Sequence, residues 1–325
     1  MYRRMAAGSM ALASVLGAAA VAAPMQLRSQ FSAHQLQGEA IVQVLCSETT
    51  DAFATTASDG FVRIWKAPNQ QLVQHTVEPR SMMFNGRFIP GGAPTDFIAA
   101  SYNGFAYRWS ASAPEPIKIG PHLSGVTDVT FAPRTGLVVT SSDDGFVRFW
   151  SADRRLLKRT ALPGVTRHLA SSPLLQLVAS SQDIGTVSLH SPEGELLATL
   201  PTGQGRLNAL IFSAHQPLLL TGGFDGSIKV WTFEQGPTTP RLLRTIPPLP
   251  KQGWLEGLAI NRDGVIAAVS DDGMLRLWSL RGQLLASQLL SEEHHAMSVC
   301  FAKDQRTIHA ISQDGALSTL SWLGN

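Results

Sequence analysis

Two pairs of adjacent carboxylates, Asp143-Asp144 and Asp271-Asp272, and the histidines His34, His122, His168 and His294-His295 are the groups here best suited to chemistry. Paired carboxylates can share a proton for general acid–base work, and gathered imidazoles bind transition metals. The spacing favours a plainer reading. Each carboxylate pair stands directly before a glycine that recurs through the chain, which makes turn formation its ordinary task. The histidines other than His122 read as solvent-facing loop residues. There is no Cys-x-x-Cys-His, His-Glu-x-x-His or Gly-x-Ser-x-Gly motif, and no phosphate or calcium loop. We expect no catalytic residue, no metal and no cofactor.

The recurring glycines are Gly60, Gly104, Gly145, Gly185, Gly226, Gly273 and Gly315, at steps of 44, 41, 40, 41, 47 and 42 residues. Six follow a turn Asp or Asn: Asp59, Asn103, Asp144, Asp225, Asp272 and Asp314. Gly supplies the positive φ of a tight hairpin, and Asp or Asn tolerates the neighbouring position. After five of the glycines a short β-branched and aromatic run ends in Trp65, Trp109, Trp150, Trp231 or Trp278. A strand ending in small hydroxyl residues precedes each turn, as in Leu137 to Ser142, and another lies further upstream, as in Val126 to Phe131. A fourth apolar run follows, as in Arg154 to Leu162. Hairpins at this period predict an all-β, seven-bladed β-propeller with one four-stranded blade per repeat.

The turn-and-Trp pattern resembles the WD-repeat propeller family over roughly residues 25–325. In that family a His, a Ser or Thr, the turn Asp and the Trp form a hydrogen-bonded tetrad. The resemblance implies such a tetrad in the third blade, from His122, Thr140, Asp144 and Trp150. The first blade offers His34 at a longer spacing, and the other blades lack a His in register. The Asp that usually follows the Trp is missing throughout. The resemblance implies a divergent member that serves as a scaffold or adaptor for proteins.

The seventh copy leaves too little chain for a fourth strand. Gln26 to Phe31 resembles the outer strands, so the N-terminus is expected to complete the last blade and remove two open sheet edges. Residues 1–22 read as a signal peptide: Arg3 and Arg4 precede the apolar stretch Met5 to Ala23, and Ala20-Val21-Ala22 makes a small-x-small cleavage site. The propeller then occupies 23–325. A periplasmic or secreted protein is expected, with a membrane anchor or a mitochondrial presequence as alternatives. Nothing after the leader suggests a membrane span.

Lys and Arg number 26 and Asp and Glu 24. Removing Arg3 and Arg4 leaves an even balance, which speaks against nucleic-acid binding. Arg63, Arg148, Lys229 and Arg276 recur two residues before the Trp and read as cover for an apolar blade edge. The partner sought is therefore a protein. Glu78 to Phe97, with Met82, Met83 and Phe84, and the proline-rich Phe233 to Trp254 depart from the repeat and are candidate partner loops. A rigid loop packed on its own blade is the alternative. An enzyme or ligand binder using the central channel is the competing class of function.

The two cysteines, Cys46 and Cys300, fall on innermost strands of the first and last blades. Their parity suits a cross-blade bond, but packed sheets sit about 10 Å apart and a disulfide needs Cα atoms within about 7 Å. Two buried free thiols are the expectation.

Overall fold

A computed structural model describes residues 27–35, 41–66 and 70–323. The leader and its cleavage site lie outside the described residues, as does the side chain of His34. Among the described residues there are only strands, arranged in seven four-stranded sheets, and no helix able to cross a membrane.

The chain begins with β1 (Leu27–Gln35). The first sheet holds β2 (Ile41–Cys46), β3 (Ala52–Ala57), β4 (Val62–Lys66) and β5 (Gln70–His75). The second holds β6 (Met83–Phe88), β7 (Phe97–Ser101), β8 (Phe105–Ser110) and β9 (Ala113–Ile119). The third holds β10 (Val126–Phe131), β11 (Val138–Ser142), β12 (Phe146–Trp150) and β13 (Leu156–Ala161). The fourth holds β14 (Thr166–Ser172), β15 (Leu177–Gln182), β16 (Thr186–His190) and β17 (Leu196–Pro201). The fifth holds β18 (Leu207–Phe212), β19 (Leu218–Gly223), β20 (Ile228–Thr232) and β21 (Arg241–Ile246). The sixth holds β22 (Leu255–Ile260), β23 (Ile266–Ser270), β24 (Met274–Trp278) and β25 (Leu284–Leu289). The seventh holds β26 (Ala296–Phe301), β27 (Thr307–Ser312) and β28 (Ala316–Trp322). Its outermost place is taken by β1, antiparallel to β28 with Leu27 opposite Trp322.

Alternation along each strand sends side chains to both neighbouring sheets. Val138 and Trp150 pack towards Ile98 and Ala100 of the second sheet. Their chain neighbours Val139 and Phe149 pack towards Leu169 and Val178 of the fourth. The second strand of a sheet is therefore buried on both faces, as in β11 and β15. Outer strands such as β13 and β17 stay largely exposed. At the turn after β11, Gly145 has φ of 81°, a region that side-chain-bearing residues rarely occupy.

The cysteines correct the expectation of free thiols. Cys46 and Cys300 form a disulfide, with Cα atoms 5.7 Å apart. The 10 Å spacing between sheets holds where blades splay outward, whereas innermost strands converge on the axis. There Ser298 Oγ of β26 donates to Val44 O of β2 at 3.2 Å.

A second correction concerns Glu78 to Phe97. It is not one loop, because β6 runs through it, and Met83 is fully buried in the core between the first and second sheets. Met83 is therefore unavailable to a partner.

Candidate functional site

In the third sheet, His122 Nε2 lies 2.8 Å from Thr140 Oγ1, and the Trp150 indole N–H donates to the same hydroxyl at 2.8 Å. Asp144 accepts from the Leu123 amide at 3.0 Å and from Phe146 at 3.1 Å, but its carboxylate is 3.7 Å from His122 Nδ1. Arg148 stands between them. It pairs with Asp144 at 2.8 Å and donates to His122 Nδ1. An imidazole that accepts at Nδ1 is neutral. Burial, with the field of Arg148, holds His122 down at about 4.

Arg148 corrects the reading of the recurring basic residues as edge cover. Arg63 pairs with Asp59 at 2.6 Å, and Arg276 pairs with Asp272. In the second sheet Tyr107 takes this place, accepting from Asn103 at 2.9 Å. Lys229 instead donates to Thr202 O. Asp225 and Asp314 accept from backbone amides of their own turns, Ser227 and Ala316. The turn residues thus have local structural partners.

Other blades use substitutes that the sequence reasoning missed. Trp65 donates to Thr55, and Trp231 to Thr221, each at 3.1 Å. Thr221 in turn donates to Gln204, which stands in the place of the histidine. In the fourth sheet His190 takes the Trp position and bonds Ser180 at 3.1 Å. Its place five residues after Gly185 was the available signal.

Trp150→Ala is expected to cost about 3–5 kcal/mol as a large core truncation. Trp109→Ala should cost less, because the place of Thr140 is held by Ala99, opposite Tyr107 as Thr140 is opposite Arg148. Chemical denaturation of both variants decides this, and equal losses would mean that the hydroxyl adds nothing.

The turn ends of the blades surround one mouth of the central channel. In the second to seventh blades the hairpin turn is tied by a backbone bond to the segment leading into its own innermost strand. Tyr102 bonds Met82, Asp143 bonds Gly125, Asp183 bonds Val165, Phe224 bonds Arg206, Asp271 bonds Trp254 and Gln313 bonds His295. Every innermost strand has a register shift just beyond this point, as between Thr166 and His168 or Leu255 and Gly257. Such shifts re-aim the residues they hold. Here they fall at Val42, Phe84, Thr127, Arg167, Asn208, Glu256 and Met297.

Polar groups on this rim join several blades. Arg87 lies 3.5 Å from Asp128 and donates to Leu169 O at 2.9 Å. Asn85 reaches His168 at 3.3 Å, spanning from the second sheet to the fourth. His168 is thus on β14 and partly buried, not on a solvent-facing loop. Burial and the positive fields of Arg87, Arg167 and Arg206 hold it down at about 3. Glu256 accepts from the Trp254 indole at 2.6 Å and from Asn208 at 3.3 Å. Burial pushes its carboxyl up, and the nearby charge of Asp271 adds to this.

The same rim exposes large apolar side chains: Leu123 at 90%, Tyr102 at 59%, Ile184 at 56% and Phe224 at 48%. Of the partner-loop residues, Trp254 is partly buried and stacks on Phe224 with ring centres 5.4 Å apart. Phe84, also partly buried, sits edge-on to Tyr102 at 6.0 Å. Met82 lies beside it, partly buried. Among the described residues no group of three or more His, Cys, Asp or Glu is placed to hold a metal.

The family model described as WD domain, G-beta repeat, matches residues 115–151 and 194–232. The chain is similar to the Uncharacterized WD repeat-containing protein slr1410 of Synechocystis, with 38% identity over 75% of this chain and 71% of that protein. It is also similar to the WD repeat-containing protein slr1409 of Synechocystis, 41% identical over 22% of each. A human relative, the tRNA (34-2'-O)-methyltransferase regulator WDR6, is 23% identical over 65% of this chain and 20% of its own length.

Proposed function

Because this chain belongs to the WD-repeat protein family, a family of propellers that typically scaffold protein interactions, we propose that it is a non-catalytic docking module, exported from the cytoplasm, which binds a protein partner on the rim of its mouth. The observation that carries this reading is the gathering of Tyr102, Leu123, Ile184 and Phe224 on one face. Exposed apolar side chains grouped on a rigid rim are what a protein partner buries. The backbone bonds that tie these turns to the segments entering their own innermost strands keep the ordering cost of binding small.

The test is purification of the tagged protein from its native cell envelope, with quantitative mass spectrometry of what accompanies it. Combining Leu123→Asp with Tyr102→Ala should remove the principal companion with little change in melting temperature, since Leu123 stands in solvent and Tyr102 is mostly exposed. Retention of the same companions by this variant would move the docking face elsewhere.

Two observations support export. The leader has the features of a cleaved signal peptide, and the Cys46–Cys300 bond suits an oxidising compartment. The intact mass of the protein from its native source should place the mature N-terminus at Ala23. A chain that keeps Met1 would refute cleavage.

A further inference from the structure

Hydrogen-bonding capacity at the mouth is unequally filled. A guanidinium offers five N–H donors, and an ionised carboxylate accepts at both oxygens. Glu256 is filled at both oxygens by Trp254 and Asn208. Asp128 is filled at both by the amides of Val129 and Leu169. Arg206 differs: its guanidinium makes no hydrogen bond or ion pair among the described residues and stands over the ring of Phe224 at 5.4 Å. Arg167 has one anionic contact, Asp143 at 3.4 Å, and its buried Nε has no partner. Buried acceptors without a hydrogen bond at the mouth include one oxygen each on Asn103, Asp143 and Asp271, and that of Asp143 is the one facing Arg167. The guanidinium of Arg206 and the Nε of Arg167 are therefore donors without a partner.

The two residues also enter adjacent blades. Arg167 sits at the register shift of β14, and Arg206 directly precedes β18 on the next blade. The fields of both reach His168. Beside them stand the exposed turn residues Ile184, of the blade of Arg167, and Phe224, of the blade of Arg206.

We propose that the mouth takes a carboxylate side chain of the partner, an Asp or Glu flanked by apolar residues, held between Arg167 and Arg206 while its neighbours rest on Ile184 and Phe224. Paired N–H donors in a fixed fork match a carboxylate bidentately. Asp143 and Glu256 close by select a single negative charge over the dianion of a phosphate. The assignment rests on the docking reading above and names the chemistry of its partner.

The test pans a random twelve-residue peptide library displayed on phage against the intact protein. Enriched peptides should share an acidic residue with apolar neighbours. A fluorescent synthetic copy then gives affinities by anisotropy. Exchanging its acid for the amide, or making Arg206→Ala in the protein, should each weaken binding roughly tenfold or more. The two changes together should cost little beyond either alone, as expected for partners in one contact. Arg206 is exposed, so an unchanged melting temperature confirms that the variant folds. Enriched peptides without an acid, or binding indifferent to Arg206→Ala but lost on Leu123→Asp, would overturn the acidic anchor and leave the docking face standing. Tighter binding of a phosphoserine version would overturn the choice of a carboxylate. No enrichment over an unrelated propeller would overturn the docking reading together with this one.

Discussion

Acidification from pH 7 to pH 4 is expected to unfold this protein cooperatively. Burial holds His122, His190 and His309 down at about 4, and burial with three arginine fields holds His168 at about 3. In the unfolded chain each titrates near 6.5. Between those values the unfolded state binds a proton that the folded state refuses. Stability is therefore complete above pH 6.5 and falls as the pH drops through the window. At pH 4 a depression of about two and a half to three and a half units removes about 3 kcal/mol per group, and four groups remove on the order of 10 kcal/mol, the size of a whole domain's stability. Asp128 and Glu256, whose pKa values burial raises, act in the opposite sense and return part of this. Carboxylates held low, such as Asp144 and Asp272, add their losses only around and below pH 4. Tryptophan fluorescence and far-UV circular dichroism against pH should place the midpoint between about 4 and 5.5. A native signal persisting to pH 3 would sink the argument. His190→Trp, which removes one titrating group, should move the midpoint down.

Replacing both cysteines, Cys46→Ser with Cys300→Ser, should cost about 5 kcal/mol, because the bond closes a loop with a sequence separation of 254 residues. The pairing of β1 with β28 is untouched by the change, so the variant should still fold at 25 °C with an unaltered circular dichroism spectrum. Guanidinium denaturation, followed for both proteins without reductant, measures the difference. Thiol counting on the unfolded, non-reduced native protein should find no reactive thiol. Two would rule the bond out.

The blades were legible because their determinants are local. A glycine at positive φ, an Asp or Asn beside it and a Trp five residues on lie within one hairpin, and their repetition makes the count. The expectation that His122, Thr140 and Trp150 belong together was legible through the family resemblance. What was illegible depends on how blades approach one another. Parity along a strand says that Cys46 and Cys300 point to opposite faces but not how far apart converging strands lie. The role of Arg148 was hidden because its two-residue offset from the Trp fits both an edge cover and an ion pair with Asp144. Met83 looked like part of a loop because the register shift before Gly86 breaks the alternation that would have marked a strand. The same shifts place Arg167 and Glu256 on the mouth, and no local pattern announces them.

The Cys46–Cys300 bond also decides how the protein carries a mechanical load. Tension applied between the two ends of the chain enters at Leu27 and leaves at Trp322, which face each other at one end of the seventh sheet. That geometry peels β1 from β28 one pair at a time. Once β1 has come away, force runs from β2 through the sulfur bridge into β26 and out along the last strands. Residues 47–299 lie off that path. A pull on the ends can open the outer seam, but it cannot unravel the middle blades while the bridge is intact.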